Sequence, residues 1–251
     1  MRLLRITHHI KQQNWLAVFL DFLIVVIGVF IGLQVSNWNQ NRLEQQREEK
    51  LLQELVEDLN ADLLEIDSVL YFTRMRYSAD ATMLKRAINW QIPDQYPDDF
   101  EKHADYNKPK LIEPKVASDA LYFSMRVSGF DMEKRTYSKL TFGGDFTLTQ
   151  DPELPELLRK HYNLAQQWME TETRFHDPLY SKLIDTYSQY GIGMLDQISW
   201  QQLDSLIANT PQLQGMLKNS IWITSVQNEY LHNIRKNTQS LIQRIQQHQA
   251  G

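Results

Sequence analysis

Residues 22–33 read FLIVVIGVFIGL, twelve consecutive positions without a charged or amide side chain. The run widens to residues 15–35, in which only Asp21 and Gln34 are clearly polar. A helix rises about 1.5 Å per residue, so such a segment reaches the roughly 30 Å hydrocarbon thickness of a bilayer. A buried helix of a soluble protein usually keeps one polar face, and this one has none. A cleaved export signal has a shorter apolar region and small residues before the cut, whereas here Gln34, Val35 and Ser36 lead into a further helical pattern. The pattern predicts a retained transmembrane helix over residues 15–36, preceded by a tail at 1–14 and flanked by Trp15 and Trp38 as interfacial anchors.

Beyond the run, apolar residues return at Leu52, Leu55, Leu59, Leu63, Ile66 and Leu70, with Glu54, Glu57, Asp58, Asp62 and Glu65 between them. Spacing of three and four predicts a long amphipathic helix over 37–92 with a narrow apolar stripe. No Pro or Gly interrupts residues 33–92, so span and stripe form one rod or bend near residues 37–41. The stripe could pair with its own copy as a coiled coil. Packing against the chain's later helices is preferred, because ordered charges flanking a sustained seam are missing.

Residues 93–115 are rich in proline and charge and read as a loop. From 116 to 251 the pattern is again helical. VASDALYFSMRVSG and EKRTYSKLTFGG are short helices expected to stop at glycine. Asp151-Pro152-Glu153 supplies a cap with Pro at the first helical position, His176-Asp177-Pro178 marks a break, and Thr210-Pro211 opens a long last helix. On that helix Leu213, Leu217, Ile221, Tyr230, Ile234, Leu241 and Ile245 lie on or near one face. No alternating run demands a sheet. The expected class is all-α: one N-terminal transmembrane helix continuing into a long amphipathic helix, then an antiparallel helical bundle at 116–251 packed against it.

Two features inside the span invite more than anchoring. Gly28 and Gly32 form a GxxxG pair, which lets a second helix backbone approach closely. Asp21 lies about six residues inside the first Trp, where a carboxylate is costly unless paired, protonated or able to snorkel. It either meets a basic residue of a partner helix or marks the interface itself. Asp21, Gly28 and Gly32 are thus the candidate intramembrane contact.

Charge refines the picture. Residues 1–38 hold Arg2, Arg5 and Lys11 against Asp21, which leaves 30 acids and 23 bases for the rest. An acidic remainder argues against nucleic acid as a partner. Arg42, Arg47 and Lys50 after the span nearly balance the bases before it. The shorter tail is therefore placed in the cytoplasm and the larger domain in the periplasm, with the bilayer and a second copy or another inner-membrane protein as partners. The chain has no Cys, so it has neither disulfides nor thiolate metal sites.

The stretches LIVVIGVFIGLQVSNWNQNR, EEKLLQELVEDLNADLLEID and YSKLTFGGDFTLTQDPELPELLRKHY together resemble the bacterial membrane-protein family of domain of unknown function 6090. The run ending in Asn37-Trp38-Asn39 is the most specific part, and members often carry Glu where this chain has Asp21. The resemblance implies a single-pass anchored helical protein and brings no activity with it.

Candidate chemistry is sparse. FGGDF at 142–146 lacks the second acid of the GGDEF signature of cyclic-dinucleotide synthases and follows a helix, where a stop is expected. His176-Asp177 resembles half of a phosphohydrolase metal pair, without further ligands in helical register. His103 and His161 are isolated. Trp168, Phe175, Tyr180, Tyr187, Tyr190, Trp200, Trp222 and Tyr230 could line a pocket, although such spacing more often builds a core. No nucleophile elbow, P-loop, zinc-binding helix or dinucleotide fingerprint is present. The expectation is a protein without catalytic residues, metal or cofactor: an anchored structural or interaction module of the inner membrane. The alternative is an extracytoplasmic sensor that binds a small ligand and signals through a separate partner.

Overall fold

The computed structural model describes residues 15–93, 109–142 and 151–250. The tail at 1–14, most of the loop at 93–115 with its His103, and Gly143 to Phe146 of FGGDF lie outside the described residues. Everything described is helix or connection, without a strand. Two compact units divide the chain, Met1–Leu51 and Leu52–Gly251.

Helix α1, Trp15–Ile88, is unbroken past residues 37–41. It stops where Asn89 takes a positive φ of 54°, a conformation Asn tolerates, with the Asn89 N–H donating to the Lys85 carbonyl at 3.0 Å. The elements that follow are α2 (Ala117–Met125), α3 (Arg135–Phe142), α4 (Leu154–Thr171), α5 (Asp177–Gln189), α6 (Trp200–Ala208) and α7 (Pro211–Ala250). A Ser199–Gln202 capping box opens α6. Gly191, at φ 71°, closes the end of α5.

Several expected boundaries moved, each for a local reason. Helix α2 ends at Arg126 in extended backbone, not at Gly129. The first helical residue of α4 is Leu154, with Pro155 in its first turn. Asp151 instead folds back, its Oδ1 accepting from the Glu153 N–H at 3.0 Å. The expected break at residues 176–178 is a π-helical turn, Glu172–His176, that joins α4 to α5 without a gap. Pro178 lacks an N–H, and its ring crowds the preceding turn; the wider π turn takes up that misfit.

In the second unit, α7 runs antiparallel to α1. Arg235 grips Asp67 at 2.6 Å, and Ser220 reaches Asp80 at 2.5 Å, so rising numbers on one helix meet falling numbers on the other. Helices α4, α5 and α6 pack on α7, and α2 packs on α5. Leu84, Leu121, Leu183, Tyr187, Ile207 and Leu217 belong to the buried cluster at that junction. Further along, Leu55, Leu59, Leu158, Trp168, Leu241 and Ile245 are fully covered. On α7 the buried position is Leu231; the expected Tyr230 is exposed.

Candidate functional site

The apolar segment of α1 is largely exposed among the described residues. None of its most apolar window is buried, and Phe22, Ile24, Val25, Ile27 and Phe30 are each more than half exposed. Trp15 and Trp38 stand exposed at its margins, as does Asp21 within it. A Cβ added at Gly28 or Gly32 would meet nothing within 4 Å among the described residues. Among the described residues this is the one helix long and apolar enough to cross a membrane. A water-facing patch of that kind is unusual on a soluble monomer.

The stripe further along α1 divides. Leu52, Leu55, Leu59 and Ile66 are buried, while Leu63 and Leu70 are only half-buried. Beside them lie carboxylates that the periodic pattern assigns to solvent. Asp58 and Asp62 are almost fully buried, and with Glu54 and Glu65 they form a ladder that holds residues 131–139. Glu65 accepts from the Asp131 N–H at 3.2 Å, Asp62 from the Glu133 N–H at 2.8 Å, and Asp58 from the Thr136 N–H at 3.0 Å. Arg135 donates to Asp58 at 3.0 Å and Lys139 to Glu54 at 2.6 Å. Anions one helical turn apart thus take up two N–H groups of the segment that leads into α3 and one in its first turn.

The two buried members of the ladder differ in their proton affinity. Burial pushes Asp58 up, but its bonds from Thr136 and Arg135 outweigh this and hold it below the usual range. Asp62 is pushed up to about 7, chiefly by burial; the Glu133 N–H opposes the rise, and the charges of Glu65, Asp58 and Glu133 add to it. Its Oδ2 has no hydrogen-bond partner among the described residues. A second buried carboxyl, Asp80, is likewise pushed up to about 7 by burial, against the Ser124 and Ser220 hydroxyls and Arg76. The Arg76 guanidinium lies 3.9 Å from the centre of the Tyr180 ring and donates to the Arg126 carbonyl.

The π turn carries a third buried polar group. His176 Nδ1 lies 2.5 Å from Glu172 Oε1 and 2.7 Å from Gln227 Nε2, and Gln227 also donates to Glu172. Asp177 takes no part in this cluster; it begins α5. Among the described residues, no group of three or more His, Asp and Glu side chains is placed to hold a metal ion.

Between α4 and α7 opens a cleft of about 340 Å³, lined by Leu157, Lys160, His161, Asn237, Ser240, Leu241, Gln243, Arg244 and Gln247. His161 is buried, neither ring nitrogen has a hydrogen-bond partner among the described residues, and burial lowers its pKa to about 4. Its imidazole is therefore neutral at pH 7. Arg244 is fixed by Asp151 at 2.6 and 2.8 Å and by Glu153 at 2.9 Å. Asp151 is held down to about 2, first by the Arg244 bond. Isolated in the sequence, His161 gains its setting from residues about eighty positions away.

Residues 21–103 match the model of a family of unknown function, DUF6090. The match covers about a third of the chain. It takes in Asp21, Gly28, Gly32, the carboxylate ladder of α1, Arg76 and Asp80, while α2 to α7 lie outside it. No curated protein and no solved structure matches the chain. What DUF6090 describes is thus the apolar segment together with the stretch of α1 that receives the bundle.

Proposed function

We propose that the chain is a single-pass anchor of the bacterial inner membrane that holds a helical interaction domain in place, without catalysis of its own. What carries this reading is the apolar segment of the span at 15–36, whose most apolar window has no buried residue among the described residues. Apolar surface of that extent is stabilised by lipid and destabilised by water. The amino terminus lies in the cytoplasm and the bundle in the periplasm, the arrangement in which the short tail remains on the side of synthesis.

The partner within the membrane is a second copy or another single helix, seated on the open face at Gly28 and Gly32. Replacing both glycines by Leu should lower the detergent-solubilised mass to that of a monomer, as read by light scattering. An unchanged mass would take the glycines out of the interface. A second reading, a domain that senses a small ligand and signals through another protein, is supported by the cleft between α4 and α7.

A further inference from the structure

We infer that the cleft between α4 and α7 binds a small oxyanion, a phosphate or carboxylate group carried on a short apolar body. Every charged side chain that lines it, Lys160 and Arg244, is cationic, in a chain whose net charge is −5. No acid stands in the wall itself. Arg244 is pre-organised: its Nε and Nη2 are held by Asp151 and Glu153, which offset much of its charge, and among the described residues Nη1 is left to donate to a guest. Asn237, Ser240, Gln243 and Gln247 supply neutral donors around it, and Leu157 and Leu241 supply an apolar surface. The cavity lies at the lower end of the range for small-molecule sites, about 300–1,000 Å³. His161 lies in the same wall as a buried, neutral imidazole whose sealed nitrogens have no partner among the described residues, so a guest that shifts the wall would be read at its ring.

The inference rests on the ligand-sensing reading, and its free-ligand arm is independent of the membrane one. The oxyanion could be a free metabolite or a lipid head group, and the test separates them. Calorimetry on the full chain in neutral detergent would use inorganic phosphate and hexanoate. A parallel arm would place the chain in nanodiscs of phosphatidylglycerol or of phosphatidylcholine and follow the imidazole resonances of His161. Lys160→Gln removes the exposed cation without touching the core, Ser240→Leu fills the cleft, and Lys182→Gln on α5 is the control.

Saturable binding of either free anion, weakened about tenfold or more by Lys160→Gln and by Ser240→Leu but not by Lys182→Gln, would support the site with a soluble ligand. A shift of His161 in phosphatidylglycerol alone, lost in the same two variants, would support it with a lipid head group. Absence of binding in both arms, or binding indifferent to the two variants, would overturn it. If choline or glucose binds and Ser240→Leu abolishes that binding while the anions stay silent, the oxyanion falls and ligand sensing survives. Silence of every probe removes both.

Discussion

Trp168→Ala is expected to destabilise the bundle by about 3–5 kcal/mol, the usual cost of truncating a buried Trp or Phe. The indole is 1 % exposed and meets the Phe130 ring edge-on at 5.8 Å, so its removal leaves a cavity between α4 and the segment that leads into α3. Net stabilities of single domains lie near 5–15 kcal/mol, and this loss is a large part of such a total. Trp168→Phe should cost much less. The indole N–H has no hydrogen-bond partner among the described residues, so Phe gives up volume but removes an unsatisfied donor. Urea unfolding of the full chain in detergent, followed by circular dichroism, measures both. An Ala variant within about 1 kcal/mol of the parent would mean that α4 does not bury this side chain.

The second large effect is a pH dependence carried by Asp62. Its folded pKa, about 7, lies above the ordinary carboxylate value of 3.8, so between those values the folded chain binds more protons than the unfolded one. Stability therefore falls as pH rises from about 4 to about 7, by at most about 1.4 kcal/mol per pH unit for one group. Asp80 acts in the same sense over the same window. His161 acts in the opposite sense: its pKa is lowered from 6.5 to about 4, so its contribution is lost as pH falls through that interval. Opposed slopes partly cancel in the parent protein. Asp62→Asn isolates one of them, because Asn keeps an oxygen to accept the Glu133 N–H and loses only the charge. The variant should gain on the parent from about pH 4 to about pH 7 and level off above that. A difference that does not vary with pH would show that Asp62 is not held protonated in the fold.

How much of this was legible beforehand depends on where the determinants sit. The apolar segment at 15–35 and the buried positions Leu52, Leu55, Leu59 and Ile66 follow from spacing alone, because one residue type repeated at helical period decides them. Asp58 and Asp62 were not legible. Their burial is made possible by N–H groups of residues 133 and 136, more than seventy positions away, and a periodic reading sends every charge to solvent. Arg76 and Asp80 escaped for the same reason, since Tyr180 and Ser220 are supplied by α5 and α7. Pro178 signals a break, and only the register shift at 172–176 shows how the helix continues past it. The cleft is likewise a product of α4 meeting α7; in the sequence its residues are ordinary surface positions around a lone histidine.

A span at residues 15–36 that crosses a bilayer should hold the chain in the membrane against extraction. Alkaline carbonate extraction of membranes from expressing cells tests it directly, with the parent chain beside an Ile27→Arg, Phe30→Arg variant. Two arginines near the centre of a span cost about 2.5–3.5 kcal/mol each on the insertion scale. The parent is expected in the membrane pellet and the variant in the soluble extract. The parent in the soluble extract would contradict it.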